Sequence, residues 1–100
     1  MRDPLLEARE VAERLERLPG WELSEDGRTI RRRFSFPGFG RAFAFMTECA
    51  IAADKLDHHP DWSNSYNRVD VTLTTHDSGG LTYRDLALAE LMQKAAERRD

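Results

Sequence analysis

Two periods divide the chain. Ala8, Val11, Leu15 and Leu18 recur at the spacing of one helical stripe. Asp3 followed by Pro4 predicts an N-cap with proline at the first helical position, and Pro19-Gly20 predicts the stop. Trp21-Glu22-Leu23 reads as a short strand, and Glu25-Asp26-Gly27 as a hairpin-type turn. From Thr29 to Phe36 the period changes to two. Ile30, Arg32, Phe34 and Phe36 share one side, with Arg32 an ill-fitting member. Pro37-Gly38 breaks that strand.

The longest helix is predicted from Phe39 to about Asp57. Two apolar stripes run along it: Phe39, Phe43, Met46, Ala50 and Ala53, and Ala42, Phe45, Cys49, Ala52 and Leu56. So wide an apolar surface predicts burial on more than one side. Pro60 bars continuation. A third strand follows from Trp62 to Tyr66, then a tight connection at Asn67-Arg68. Val69, Val71 and Leu73 alternate with polar residues in a half-buried fourth strand. Asp77 to Gly80 reads as a loop. A last helix begins near Thr82 and runs to about Glu97.

The order helix, strand, strand, helix, strand, strand, helix predicts an α+β fold. Short turns within each strand pair make the four-stranded sheet antiparallel. Three helices pack on one face, leaving the other to solvent or a partner.

With 100 residues the chain fits one domain, residues 1–100. A net charge of -3 argues against nucleic acid as a direct partner, since the only basic run, Arg31 to Arg33, lies inside an alternating strand. The single cysteine, Cys49, sits among apolar neighbours and reads as a buried thiol in a reducing compartment. No apolar run approaches the ~20 residues of a membrane span, and Met1-Arg2-Asp3-Pro4 has no signal-peptide character. A cytoplasmic location is expected.

All three histidines, His58, His59 and His76, fall within nineteen residues. Three readings stand at this point: acid–base chemistry near neutral pH, a zinc site completed by a carboxylate, and a chance set at a helix end. Against metal, adjacent side chains diverge and no HExxH or cysteine-pair spacing is present. Asp54 lies four residues before His58, on the same face if the helix extends that far, and can orient it. Thr82-Tyr83-Arg84-Asp85 has the form of a capping box with Leu81 and Leu86 as its staple, which gives Asp85 a structural role. Trp21, Trp62 and Tyr66 could stack on a flat ring, but aromatics in a small domain are more often core.

The run from Asp54 to Tyr66 resembles the signature of the pterin-4a-carbinolamine dehydratases. Asp54, three spacers, His58-His59-Pro60, five spacers and Tyr66 lead through nine spacers to His76 and eight more to Asp85. The resemblance implies dehydration of 4a-hydroxytetrahydrobiopterin, or a related 4a-hydroxytetrahydropterin, to the quinonoid dihydropterin that a reductase recycles for aromatic amino-acid hydroxylases. It implies His58 and His76 as general acids on opposite faces of the ring, and His59 as binder and base. Asp85 would orient His76 or line the pocket, Asp54 would reach the ring or His58, and Trp21 would wall the pocket. The backbone of Thr74, Thr75 and His76 would read the polar edge of the pterin. No metal or other cofactor is implied. His58→Ala and His76→Ala are expected to lower turnover with the fold intact. The family also implies a homodimer or homotetramer; in this sequence the open sheet face or the alanine-rich last helix (Ala87, Ala89, Ala95, Ala96) offers a surface for a second copy. Two alternatives remain: a dimerisation cofactor for a transcription factor, and a divergent homologue that binds another pterin-like ring.

Overall fold

The computed structural model describes residues 2–99. Helix α1 spans Ala8–Leu15, strands β1 and β2 span Glu22–Leu23 and Ile30–Ser35, and helix α2 spans Phe39–Leu56. Strands β3, Asp61–Ser65, and β4, Arg68–Leu73, follow. A 3-10 turn at His76–Ser78 leads to helix α3, Tyr83–Glu97. The sheet has the order β1-β2-β4-β3, antiparallel throughout, so the predicted α+β architecture is the observed one.

Register explains which sheet face is covered. Ile30, Arg32 and Phe34 stand opposite Leu73, Val71 and Val69. Five of these six are buried, in one core with Val11 of α1, Phe45 and Cys49 of α2, and Leu86, Leu88 and Met92 of α3. The opposite face carries Arg31, Arg33, Ser63, Asp70 and Thr72 and contributes nothing to that core. Its Arg33–Asp70 ion pair, at 2.7 Å, lies in solvent and adds little stability.

Trp21, Phe34, Phe36 and Phe45 form an aromatic cluster, with Phe34 and Phe45 centroids 4.7 Å apart. Burying each such ring contributes about 1.5–3 kcal/mol. Arg32 takes the inward position without being left as a bare charge. Its guanidinium lies 4.3 Å from the Phe34 ring centroid and donates to Gln93 Oε1. Gly20, at φ +91°, makes room for it, because a Cβ there would stand 2.8 Å from Arg32 Nε.

Three expectations change. Asp3-Pro4 does not start α1, which begins at Ala8. The preceding segment instead crosses to α3, where Leu6 N–H donates to Leu81 O at 2.9 Å and Asp3 pairs with Arg84 at 2.7 Å. Helix α2 is buried along one stripe only: Ala42, Phe45, Cys49 and Ala53 are covered, whereas Phe39 and Phe43 are 49% and 55% exposed. The alanines of α3 are not a free docking face either. Ala89, Ala95 and Ala96 are buried in the chain's own core, where small side chains let α3 approach its neighbours closely.

Candidate active site

The C-terminus of α2, the start of β3, the end of β4 and the N-terminus of α3 meet at one corner, and each candidate histidine finds a carboxylate there. The pairing is not the one that helical spacing predicts. Helix α2 ends at Leu56, and Asp57 adopts the left-handed conformation at φ 51°, which aspartate tolerates better than most residues. The His58 N–H then folds back to Ala53 O at 3.0 Å. That reversal turns the His58 side chain inward and leaves the next residue outside.

His58 is consequently buried at 8% exposure, with Nε2 2.6 Å from Asp85 Oδ1. His59 is the partner of Asp54, at 3.0 Å and in solvent. His76 faces Asp61 Oδ2 at 3.5 Å, also in solvent. Asp54 therefore does not orient His58, and Asp85 does not orient His76. The first assignment requires α2 to stay helical through His58, whereas it ends at Leu56; the second came with the family resemblance, and the Asp85 carboxylate is taken up by His58, Thr75 and Thr82 instead.

Asp85 is fully buried and serves two structures at once. Its Oδ2 accepts the Thr82 N–H at 2.9 Å, closing the capping box of α3 as predicted. The same oxygen accepts the Thr75 hydroxyl at 2.8 Å. Thr75 has a single hydroxyl proton, so in the 2.7 Å contact between the two threonines the donor is Thr82. Thr82 Oγ1 in turn accepts the Arg84 N–H at 3.3 Å. As a carboxylate, Asp85 accepts on both oxygens. The proton shared with His58 then belongs to Nε2, and Nδ1 is the nitrogen left to exchange a proton.

The remaining candidates, Thr75, Thr74 and Trp21, make contacts of their own around this corner and in the core. The Thr75 N–H donates to Gly80 O at 2.9 Å, and its carbonyl accepts from Ser78, Gly79 and Gly80. The backbone of Thr75 thus closes the His76 turn. The Thr74 hydroxyl donates to Arg28 O at 2.7 Å. Trp21 is 6% exposed and packs edge-on against Phe34 at 5.9 Å. No hydrogen bond joins it to the histidines, and its indole N–H is buried without a partner. Cys49 lies in the core, where burial pushes the thiol up to about 12. Among the described residues no three His, Cys, Asp or Glu side chains converge on one point.

Helical spacing overlooked Asp61, Thr82 and Arg84. Asp61 stood among the signature's spacers, and Thr82 and Arg84 were visible only as cap residues. The signal for Arg84 was a cation at a helix N-terminus, where the dipole disfavours it.

The family profile for Pterin 4 alpha carbinolamine dehydratase matches residues 4–95. A protein of Sinorhizobium medicae, provisionally named as that dehydratase, is 57% identical over 99 residues, covering 99% of this chain and 94% of its own length. A Rhizobium meliloti protein of the same provisional name is 54% identical, covering 99% and 95%. The crystal structure of a Brucella melitensis protein, titled a transcriptional coactivator/pterin dehydratase, superposes with a TM-score of 0.88 at 46% identity, over 92% of this chain and 98% of that one. A pterin dehydratase-like protein identified as a RuBisCO assembly factor in the α-carboxysome shares the fold, with a TM-score of 0.66 at 20% identity over 77% of this chain and 89% of that one.

Proposed function

The chain belongs to the pterin 4 alpha carbinolamine dehydratase family, and on that premise we propose that it removes water from 4a-hydroxytetrahydrobiopterin or a related 4a-hydroxytetrahydropterin by histidine acid–base catalysis. The C4a–O bond breaks and the hydroxyl leaves as water with a proton from an imidazolium. N5 gives its proton to a base, and the C4a=N5 double bond forms. Electrons and protons balance with no redox partner.

The observation that carries this reading is the buried His58–Asp85 pair beside the exposed His59 and His76. Asp85 holds His58 Nε2 and fixes the orientation of the imidazole, so that Nδ1 is the nitrogen that carries the acid's proton for one face of the ring. His76, with Asp61, is the acid for the other. His59, held by Asp54, binds the pterin and accepts the N5 proton. Trp21 and Thr74 are assigned to the pterin's surroundings, while Thr75 works through Asp85. In this reading the enzyme acts in the cytoplasm, returning the pterin of an aromatic amino-acid hydroxylase to the recycling reductase.

Stopped-flow decay of the 4a-carbinolamine tests the proposal. His58→Gln and His76→Ala are each expected to lower turnover by roughly 10²–10⁴-fold. Glutamine is chosen at position 58 because alanine leaves the buried Asp85 unpaired and endangers the fold. Wild-type rates in both variants would sink the mechanism.

A second role is favoured by the uncovered stripe of α2, where Phe39 and Phe43 stand exposed with their rings 5.7 Å apart. Exposed apolar groups of this kind mark association surfaces. We propose a second copy as the occupant, giving a homodimer or homotetramer. A transcription factor is the alternative that the Brucella relative's title raises. Capture of such a factor by a chain inactive on the pterin would favour the interaction role over the enzyme.

A further inference from the structure

Arg84 occupies the second position of α3, where the macrodipole is positive and a cation is unfavourable. Two bonds offset that placement. Its Nε donates to Asp3 Oδ2 at 2.7 Å, and its Nη1 donates to the carbonyl of Leu56. Leu56 is the last residue of α2, so its carbonyl is one of the four that have no helical partner. The Leu56 carbonyl is also two residues from His58, across the left-handed Asp57. Arg84 thus belongs to the N-terminus of one helix and works at the C-terminus of another.

The other end of the link is equally fixed. The Asp3 carbonyl accepts the Ser78 hydroxyl at 2.6 Å, from the turn that carries His76. Leu6 N–H is bonded to Leu81 O at 2.9 Å, just before the cap of α3. Residues 3–6 therefore form a brace that touches the His76 turn directly and the α2 terminus through Arg84.

We infer that Arg84 is a positioning residue for His58, acting through the Leu56 carbonyl, with Asp3 as the anchor that holds its guanidinium in place. Arginine suits the task because its planar fork reaches two acceptors at once, whereas a lysine ammonium on a flexible stem holds neither in a fixed plane. The kinetic consequence rests on the dehydratase reading. The positional consequence does not.

Two measurements separate those. In stopped-flow assays, Arg84→Met is expected to lower kcat about 10-fold with KM within about two-fold, the scale of a slightly misplaced reacting group. In a His58→Gln background the same substitution is expected to change kcat less than about two-fold, because residues acting as a unit are non-additive. Arg84→Lys should fall between wild type and Arg84→Met, and Asp3→Asn should follow Arg84→Met at smaller amplitude. In hydrogen exchange, the His58 amide is expected to exchange roughly 10-fold faster in Arg84→Met and Asp3→Asn, while the Leu88 and Met92 amides of α3 keep wild-type protection. An equal kcat loss with and without His58 would overturn the inference, as would an unchanged His58 amide. A wild-type chain that leaves the carbinolamine untouched would remove the dehydratase reading, and the exchange data alone would then decide the positioning role.

Discussion

Replacing Asp85 by asparagine keeps the shape of the side chain and removes its charge. The carboxylate holds three donors, His58 Nε2 at 2.6 Å, Thr75 Oγ1 at 2.8 Å and Thr82 N at 2.9 Å, and is 0% exposed. An asparagine oxygen placed at Oδ2 keeps the two bonds on that side. Its NH₂ group then faces His58 Nε2, which must give up its proton and accept instead. The imidazole is driven to the other tautomer, with its proton on Nδ1 and no negative charge behind an imidazolium. Charge-assisted bonds contribute about 1.5–3 kcal/mol and neutral ones about 1. Weakening three therefore costs roughly 2–4 kcal/mol, and the lost anion at the helix N-terminus adds ~0.3–1. Relief of carboxylate desolvation offsets part of this, leaving a net loss of about 1–3 kcal/mol. For a domain of this length each kcal/mol lowers Tm by about 4–8 °C, so a fall of roughly 5–20 °C is expected in a thermal melt. Turnover of the carbinolamine should drop about 10²–10⁴-fold, because a neutral Nδ1–H is a poor acid. An asparagine variant with wild-type kcat, or one that melts above wild type, would refute the reasoning.

Three other outcomes are expected. His76→Ala removes a side chain that is 78% exposed, so its unfolding free energy should stay within about 0.5 kcal/mol of wild type while its stopped-flow kcat falls. Cys49, raised from 9.0 to about 12 by burial, stays protonated in the folded chain after the unfolded chain has lost its proton. Stability is therefore full below pH 9 and falls as pH rises toward 12, with a limiting slope of about 1.4 kcal/mol per unit. Urea titrations across that window should show the slope in wild type and its loss in Cys49→Ala. Phe43→Lys places a charge on the uncovered stripe of α2 and should shift an oligomer toward monomer in analytical ultracentrifugation with little change in helix content. An unchanged sedimentation coefficient would exclude that stripe as the contact.

Alternation and helical spacing were enough to place every main element, because one sheet face and one side of each helix must be buried. They were not enough at three kinds of position. Arg32 looks like an error in an apolar stripe, since its hydrogen-bond partner Gln93 lies 61 residues away on α3. Asp3 had the local form of a helix cap, but a contact 81 residues away claimed it instead. The two stripes of α2 both read as buried, because apolar spacing does not distinguish a core from a surface left open in a single chain. At the site, the signature's spacing picked out the histidines, Asp54 and Asp85. It did not reveal which acid serves which base, since that depends on where a helix stops.

That stopping point has a consequence for how the motif is read in other chains. One left-handed torsion at Asp57 separates an inward histidine from an outward one. If α2 ran one turn further, His58 would return to the Asp54 face and Asp85 would remain buried without its partner. A relative can thus keep every letter of the pattern and still lose the wiring through a stronger helix former at the spacer position that Asp57 holds here. The letters record membership; the backbone reversal between them determines which histidine is insulated from water.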